Sequence, residues 1–136
     1  MKKLAFYIIL LGIIAGCNGN RTSHKYQSKG YFTGKPVIRL DKTDIDFGQI
    51  SEGEEVMVPF TIKNSGDAPL IIYKVETSCG CTASDYPHEP IRPGQQAEIK
   101  LIFNSAGYSG YQIKTAKLYT NSKDSIITLT IHGIVK

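Results

Sequence analysis

From Pro36 to the C-terminus, apolar and polar residues alternate with period two in one short run after another. No stretch carries the period of an amphipathic helix. "PVIRL" (36–40) opens the series, and "IDFGQI" (45–50) puts Ile45 and Phe47 on one face. Val56, Val58, Phe60 and Ile62 then alternate with Met57, Pro59 and Thr61, and Pro59 marks that strand as an edge or a bulged one. "LIIYKVE" (70–76), the Ile99-Leu101-Phe103 alternation, "YQIKTAKLYT" (111–120) and "SIITLTIHGIV" (125–135) complete the set. Turn chemistry separates the runs: "NSGDAP" (64–69), "IRPGQQ" (91–96), "NSAGYSG" (104–110) and "NSKD" (121–124). The pattern predicts an all-β chain, an Ig-like antiparallel β-sandwich of about seven strands, with a barrel as the alternative. With no tryptophan and no cysteine pair of antibody spacing, the likeness to immunoglobulin domains is one of architecture alone.

The first residues follow another rule. Lys2 and Lys3 precede the apolar run Leu4–Gly16, too short for the roughly 20 residues that span a bilayer and suited to a signal-peptide core. Ile14-Ala15-Gly16-Cys17 resembles a bacterial lipobox, in which small residues lead to a cysteine that is acylated and becomes the mature N-terminus. The expected organisation is a signal peptide (1–16), a lipidated Cys17 with a flexible basic tether (17–36), and the sandwich (37–136). Several acyl chains on one residue anchor stably, at about 0.8 kcal/mol per buried methylene. The expected location is the bacterial cell envelope, on the outer membrane ahead of the inner, with the domain outside the cytoplasm. The tether up to Pro36 has an r.m.s. span of about 24 Å. The start Cys17-Asn18-Gly19-Asn20 lacks an acidic run that would hint at surface export.

Charge sharpens this division. The formal net charge is +4, yet Arg21, Lys25, Lys29 and Lys35 stand in the tether without an acid, while residues 37–136 hold 10 basic and 12 acidic side chains. The basic excess therefore belongs to the leader and tether, where it suits anionic lipid head groups. It argues against nucleic acid as a partner. The expected partners are membrane lipid through Cys17 and an envelope protein or glycan.

Three blocks carry a family resemblance: Phe47-Gly48 with Gly53, Asn64-Ser65-Gly66-Asp67-Ala68-Pro69-Leu70, and Ser78-Cys79-Gly80-Cys81-Thr82 followed by Pro93-Gly94. Over residues 44–136 the chain resembles the bacterial domain-of-unknown-function family fifteen seventy-three, itself similar to the Ig-like modules of the abnormal-spindle and Hydin type. The resemblance implies a β-sandwich and frequent secretion or lipidation. It implies no reaction.

Candidate chemistry is sparse. With Cys17 assigned to lipid, Cys79 and Cys81 have only each other outside the cytoplasm, which leaves no closed zinc site. Three readings stay open. A Cys79–Cys81 disulfide requires a turn at Gly80, because extended i, i+2 residues lie 6.6–7 Å apart against the 4.4–6.8 Å that disulfides favour. Its ring would be small, strained and reducible, and would close too little chain to stabilise the fold much. Two thiolates on one side of a turn suit Cu(I), with His88 or Met57 as accessory ligand. The third reading is small sulfurs packed in a tight bend. Tyr108 and Tyr111, in a Gly/Ser-rich loop, suit either a recognition tip or a cap over the end of the core. His24, His88 and His132 are not expected to converge. Asp46-Phe47-Gly48 matches a kinase triplet without the other kinase elements, and Asn20-Arg21-Thr22 fits a glycosylation sequon that a bacterial tether makes a poor reading. No nucleophile elbow, phosphate loop or catalytic carboxylate pair is visible, so the expectation is a non-enzymatic module that needs no cofactor.

Overall fold

The computed structural model describes residues 33–136. The signal peptide, Cys17 and most of the tether, His24 included, lie outside the described residues. Eight strands form: β1 (Ile38–Leu40), β2 (Asp44–Ile50), β3 (Glu55–Asn64), β4 (Ile72–Thr77), β5 (Thr82–Asp85), β6 (Gln96–Asn104), β7 (Gly110–Thr120) and β8 (Ile126–Val135). They make two four-stranded sheets, β1-β3-β6-β5 and β2-β8-β7-β4, so the architecture is a sandwich and not a barrel.

Two features of the strand arrangement differ from the sequence expectation, and the placing of Pro59 and of residues 34–36 differs as well. The eighth strand is β5, whose "TASD" is too short and too polar to show a period-two signal; it forms because Thr82–Asp85 pairs with Phe103–Lys100 of β6. The sandwich is also not wholly antiparallel, since β2 pairs parallel with β8. The chain leaves β1 at one edge of the first sheet and crosses to the edge of the second, where it meets β8 in the same direction.

The core forms where the alternating faces meet. Phe60, Ile62, Ile99, Leu101, Phe103, Leu118, Leu129 and Ile131 are almost wholly buried, each worth roughly 1.5–3 kcal/mol of transfer free energy. Pro59, expected to mark an edge or a bulge, instead sits in a central strand whose register with β6 is unbroken, for a directional reason. Thr61 accepts a backbone bond from Asp41 on the β1 side. Pro59, two residues earlier, turns its missing N–H to that same side, beyond the last paired residue of β1.

Asn64 ties down the turn that follows β3. Its side chain is fully buried; Nδ2 donates to the carbonyls of Ala68 and Ile91, both at 2.8 Å, while Oδ1 accepts from Gly66 N–H at 3.0 Å. The N-terminal segment lies across this turn, with Asp67 N–H bonded to Lys35 O and Ser65 N–H to Val37 O. A side chain at Gly66 would strike that segment, at 2.2 Å from the Lys35 carbonyl oxygen. Residues 34–36, which the sequence reading places in the tether, thus pack on the sandwich.

Candidate functional site

The cysteine segment is the corner that carries the chain from β4, an edge of the second sheet, to β5, an edge of the first. Both flanks are fixed by backbone. Ser78 N–H donates to Thr115 O at 2.8 Å, and Thr115 N–H donates to Ser78 Oγ at 3.1 Å. Asn104 N–H donates to Cys81 O at 3.0 Å. The turn closes on Cys79 O, which accepts from Thr82 N–H and from Thr77 Oγ1, each at 3.2 Å. The Cα atoms of Cys79 and Cys81 are thereby 5.3 Å apart, and the two sulfurs are joined as a disulfide. Gly80 does not use a left-handed conformation to make the turn. Thr82, 3 % exposed, points its hydroxyl at both sulfurs, 3.5 Å from Cys79 Sγ and 3.8 Å from Cys81 Sγ.

The accessory ligands do not join this corner. Met57 stands exposed on β3, two strands from β5, whereas Cys81 packs against the core. His88 is exposed and sits against Tyr86, ring centroids 4.8 Å apart. Among the described residues no group of three or more His, Cys, Asp or Glu side chains is gathered as for a metal ion. The bonded sulfurs offer Cu(I) no thiolate; a copper site belongs only to the reduced pair.

The two loop tyrosines part company. Tyr108 caps the end of the core, edge-on to Phe103 at 5.6 Å, with the Lys114 ammonium 4.1 Å above its ring. Lys114 points inward, hydrogen-bonded to Gln112 Oε1 at 3.1 Å, and burial holds its ammonium below the ordinary lysine range. Tyr111 is 61 % exposed and belongs to the outer face of the second sheet.

On that face Tyr111 pairs with Ile134 and Ile113 with His132, which makes a two-by-two block of side chains across β7 and β8. Ile113 is 57 % and Ile134 39 % exposed. The His132 ring lies 6.0 Å from Tyr111, and its Nε2 is 2.8 Å from Asp44 Oδ1 on β2. Asp46 stands beside it, 3.9 Å from Nδ1. The sequence reading singles out Tyr111, sets His132 aside as a lone histidine, and misses Ile113 and Ile134. The available signal was a change of phase in "YQIKTAKLYT", where odd positions are apolar at the start and even positions later.

The family model described as "Protein of unknown function (DUF1573)" matches residues 38–135. The chain belongs to that family. No functionally curated protein matches this DUF1573 member. Among solved structures it resembles a protein of unknown function from Porphyromonas gingivalis W83, with 19 % identity and a TM-score of 0.65 over 74 % of this chain and 47 % of that one. The DUF1573 chain thus spans about half the length of that relative. It also resembles the seventh PapD-like (ASH) domain of human CEP192, with 8 % identity and a TM-score of 0.57 over 73 % of this chain and 84 % of that one. The E. coli chaperone DraB matches at 12 % identity and a TM-score of 0.50, over 74 % and 55 % of the two chains. At these identities the likeness is one of fold: an Ig-like, PapD-like sandwich.

Proposed function

We propose that this chain is a lipid-anchored, non-enzymatic binding module of the bacterial cell envelope, which holds a protein partner on the outer face of its second sheet. The observation that carries the reading is the exposed block of Tyr111, Ile113 and Ile134, three large apolar side chains side by side on a rigid sheet. Such patches mark interaction sites, and an aromatic residue beside aliphatic ones suits a protein surface better than a sugar. The acylated Cys17 and basic tether keep the module at the outer membrane. The second reading, a thiol site at Cys79 and Cys81, is favoured by the bond between them and needs no docking face.

The test places a photo-crosslinking residue at Tyr111, Ile113 or Lys63 of the full-length chain in cells. One protein adduct at positions 111 and 113, absent at the opposite sheet's Lys63, is expected. Equal labelling at all three positions, or no adduct, would sink the docking face, and an adduct removed by glycosidases would replace the protein partner with a glycan. Cys17→Ser is expected to abolish fatty-acid labelling and release the chain from membranes; retained labelling refutes the anchor.

A further inference from the structure

We propose that Cys79 and Cys81 form a reversible dithiol–disulfide couple that exchanges two electrons with the dithiol of a partner protein. The proposal is independent of the docking face and rests on how the corner is built.

The fold does not need the bond. A link between residues two apart removes little freedom from the unfolded chain. The corner is held without it, by the backbone bonds of Ser78, Thr82 and Asn104 and the hydroxyls of Thr77 and Ser78. Breaking the bond therefore leaves both cysteines in place to form it again.

The surroundings favour the reduced, ionised state. A disulfide sulfur is a weak acceptor, so the buried Thr82 hydroxyl gains little from the oxidised pair. A thiolate at either position would take a charge-assisted hydrogen bond from it. This is the group a leaving thiolate needs.

The corner is also open. Gly80 is exposed, its backbone does not require glycine, and an added Cβ would meet nothing within 4 Å. Both cysteines are half-buried, and Cys81 is the one that packs against the core, so we take Cys79 as the sulfur an incoming thiolate attacks.

The exchange then runs in two displacements. A thiolate of the partner dithiol attacks Cys79 Sγ; the Cys79–Cys81 bond breaks, a mixed disulfide forms, and Cys81 leaves as a thiolate held by Thr82. The partner's second thiolate attacks its own sulfur in the mixed disulfide and releases Cys79 as a thiolate. The partner becomes a disulfide, its two electrons reside on Cys79 and Cys81, and its two thiol protons pass through solvent to the new thiols.

The full-length chain in detergent is equilibrated with graded mixtures of reduced and oxidised glutathione, quenched, alkylated, and read by mass on the peptide carrying both cysteines. The expected result is a reversible passage between no label and two labels, with the urea midpoint of the reduced chain close to that of the oxidised one. Thr82→Val, which conserves shape, is expected to slow reduction by dithiothreitol about tenfold, with Thr82→Ser restoring it. A pair that resists excess dithiothreitol without denaturant overturns the proposal, as does a reduced chain that no longer unfolds cooperatively. So does a Thr82→Val chain that reacts at the native rate.

Discussion

The ring of Phe47 occupies the space in which a side chain at Gly133 would stand: a Cβ there would come within 2.3 Å of the ring and 2.6 Å of the Gly48 carbonyl oxygen. The two residues meet where β2 runs parallel to β8 and the register shifts between Asp46 and Gly48, leaving Phe47 as the extra residue. Gly133→Ala is therefore expected to destabilise by about 1–3 kcal/mol, measured by urea unfolding. Phe47→Leu on that background should recover part of the loss and not all, because the backbone oxygen stays. Full additivity of the two changes would show that they do not share this space.

A buried amide carries comparable weight at the C-terminal end of β3. Replacing Asn64 by Ala strands the buried carbonyl of Ala68, takes one of two donors from that of Ile91, which keeps the Leu70 N–H, and frees the Gly66 N–H. An expected loss of about 2–4 kcal/mol follows from leaving such groups unpaired. Asn64→Asp is expected to be no better, since a carboxylate replaces the two donors with a charge facing carbonyl oxygens. A urea midpoint unmoved by either substitution would place the turn's stability elsewhere.

These two sites show what the sequence could and could not reveal. Period-two alternation identifies the inward residues of β3 and β6 because both strands are paired and buried on one face along their length. The blocks around Phe47-Gly48 and Asn64–Leu70 announce their importance but not their cause, since a bulge and a side chain's long-range carbonyl partners lie in the third dimension. In β7 the pattern changes phase: odd positions are apolar at Tyr111 and Ile113 and even positions later, while the continuous register with β8 keeps the even positions, Lys114 among them, inside. The exposed block on the second sheet is hidden for that same reason. At the corner, spacing could state that Cys79 and Cys81 need a turn, but not that Thr82 faces both sulfurs.

Lys114 supplies a prediction with a pH sign. Burial disfavours its charged form, so the folded chain binds this proton less tightly than the unfolded chain, whose lysine keeps the ordinary value of 10.5. Between the lowered folded value and 10.5 the unfolded state holds more protons, and stability from this group rises with pH. Lys114→Met keeps the packing against Phe103 and Tyr108 and removes the charge. It is expected to stabilise by about 1 kcal/mol at neutral pH, with the advantage shrinking as pH approaches 10.5. Parallel stability curves for the two proteins across that range would contradict the assignment.

The exposed edge of the second sheet offers a test on the acid side. Lys74 and Glu76 on β4 form an ion pair, Tyr119 on β7 donates its hydroxyl to Glu76 at 2.7 Å, and the Lys74 ammonium lies 4.4 Å from the centre of the Tyr119 ring. The hydrogen bond from Lys74, and after it the one from Tyr119, holds the Glu76 carboxyl below its ordinary value of 4.5. Glu76 also raises the Tyr119 hydroxyl. A lowered carboxylate contributes stability that is complete above its unfolded value and lost as pH falls through its folded one. Carbon-detected NMR titration should therefore find the Glu76 midpoint below 4.5, and the stability from this pair should fade only in acid beneath it. Lys74→Met is expected to move the midpoint upward more than Tyr119→Phe does, following the order of the two hydrogen bonds. The reverse order would make the tyrosine the principal partner, and a Glu76 midpoint at the ordinary value would dissolve the cluster in solution.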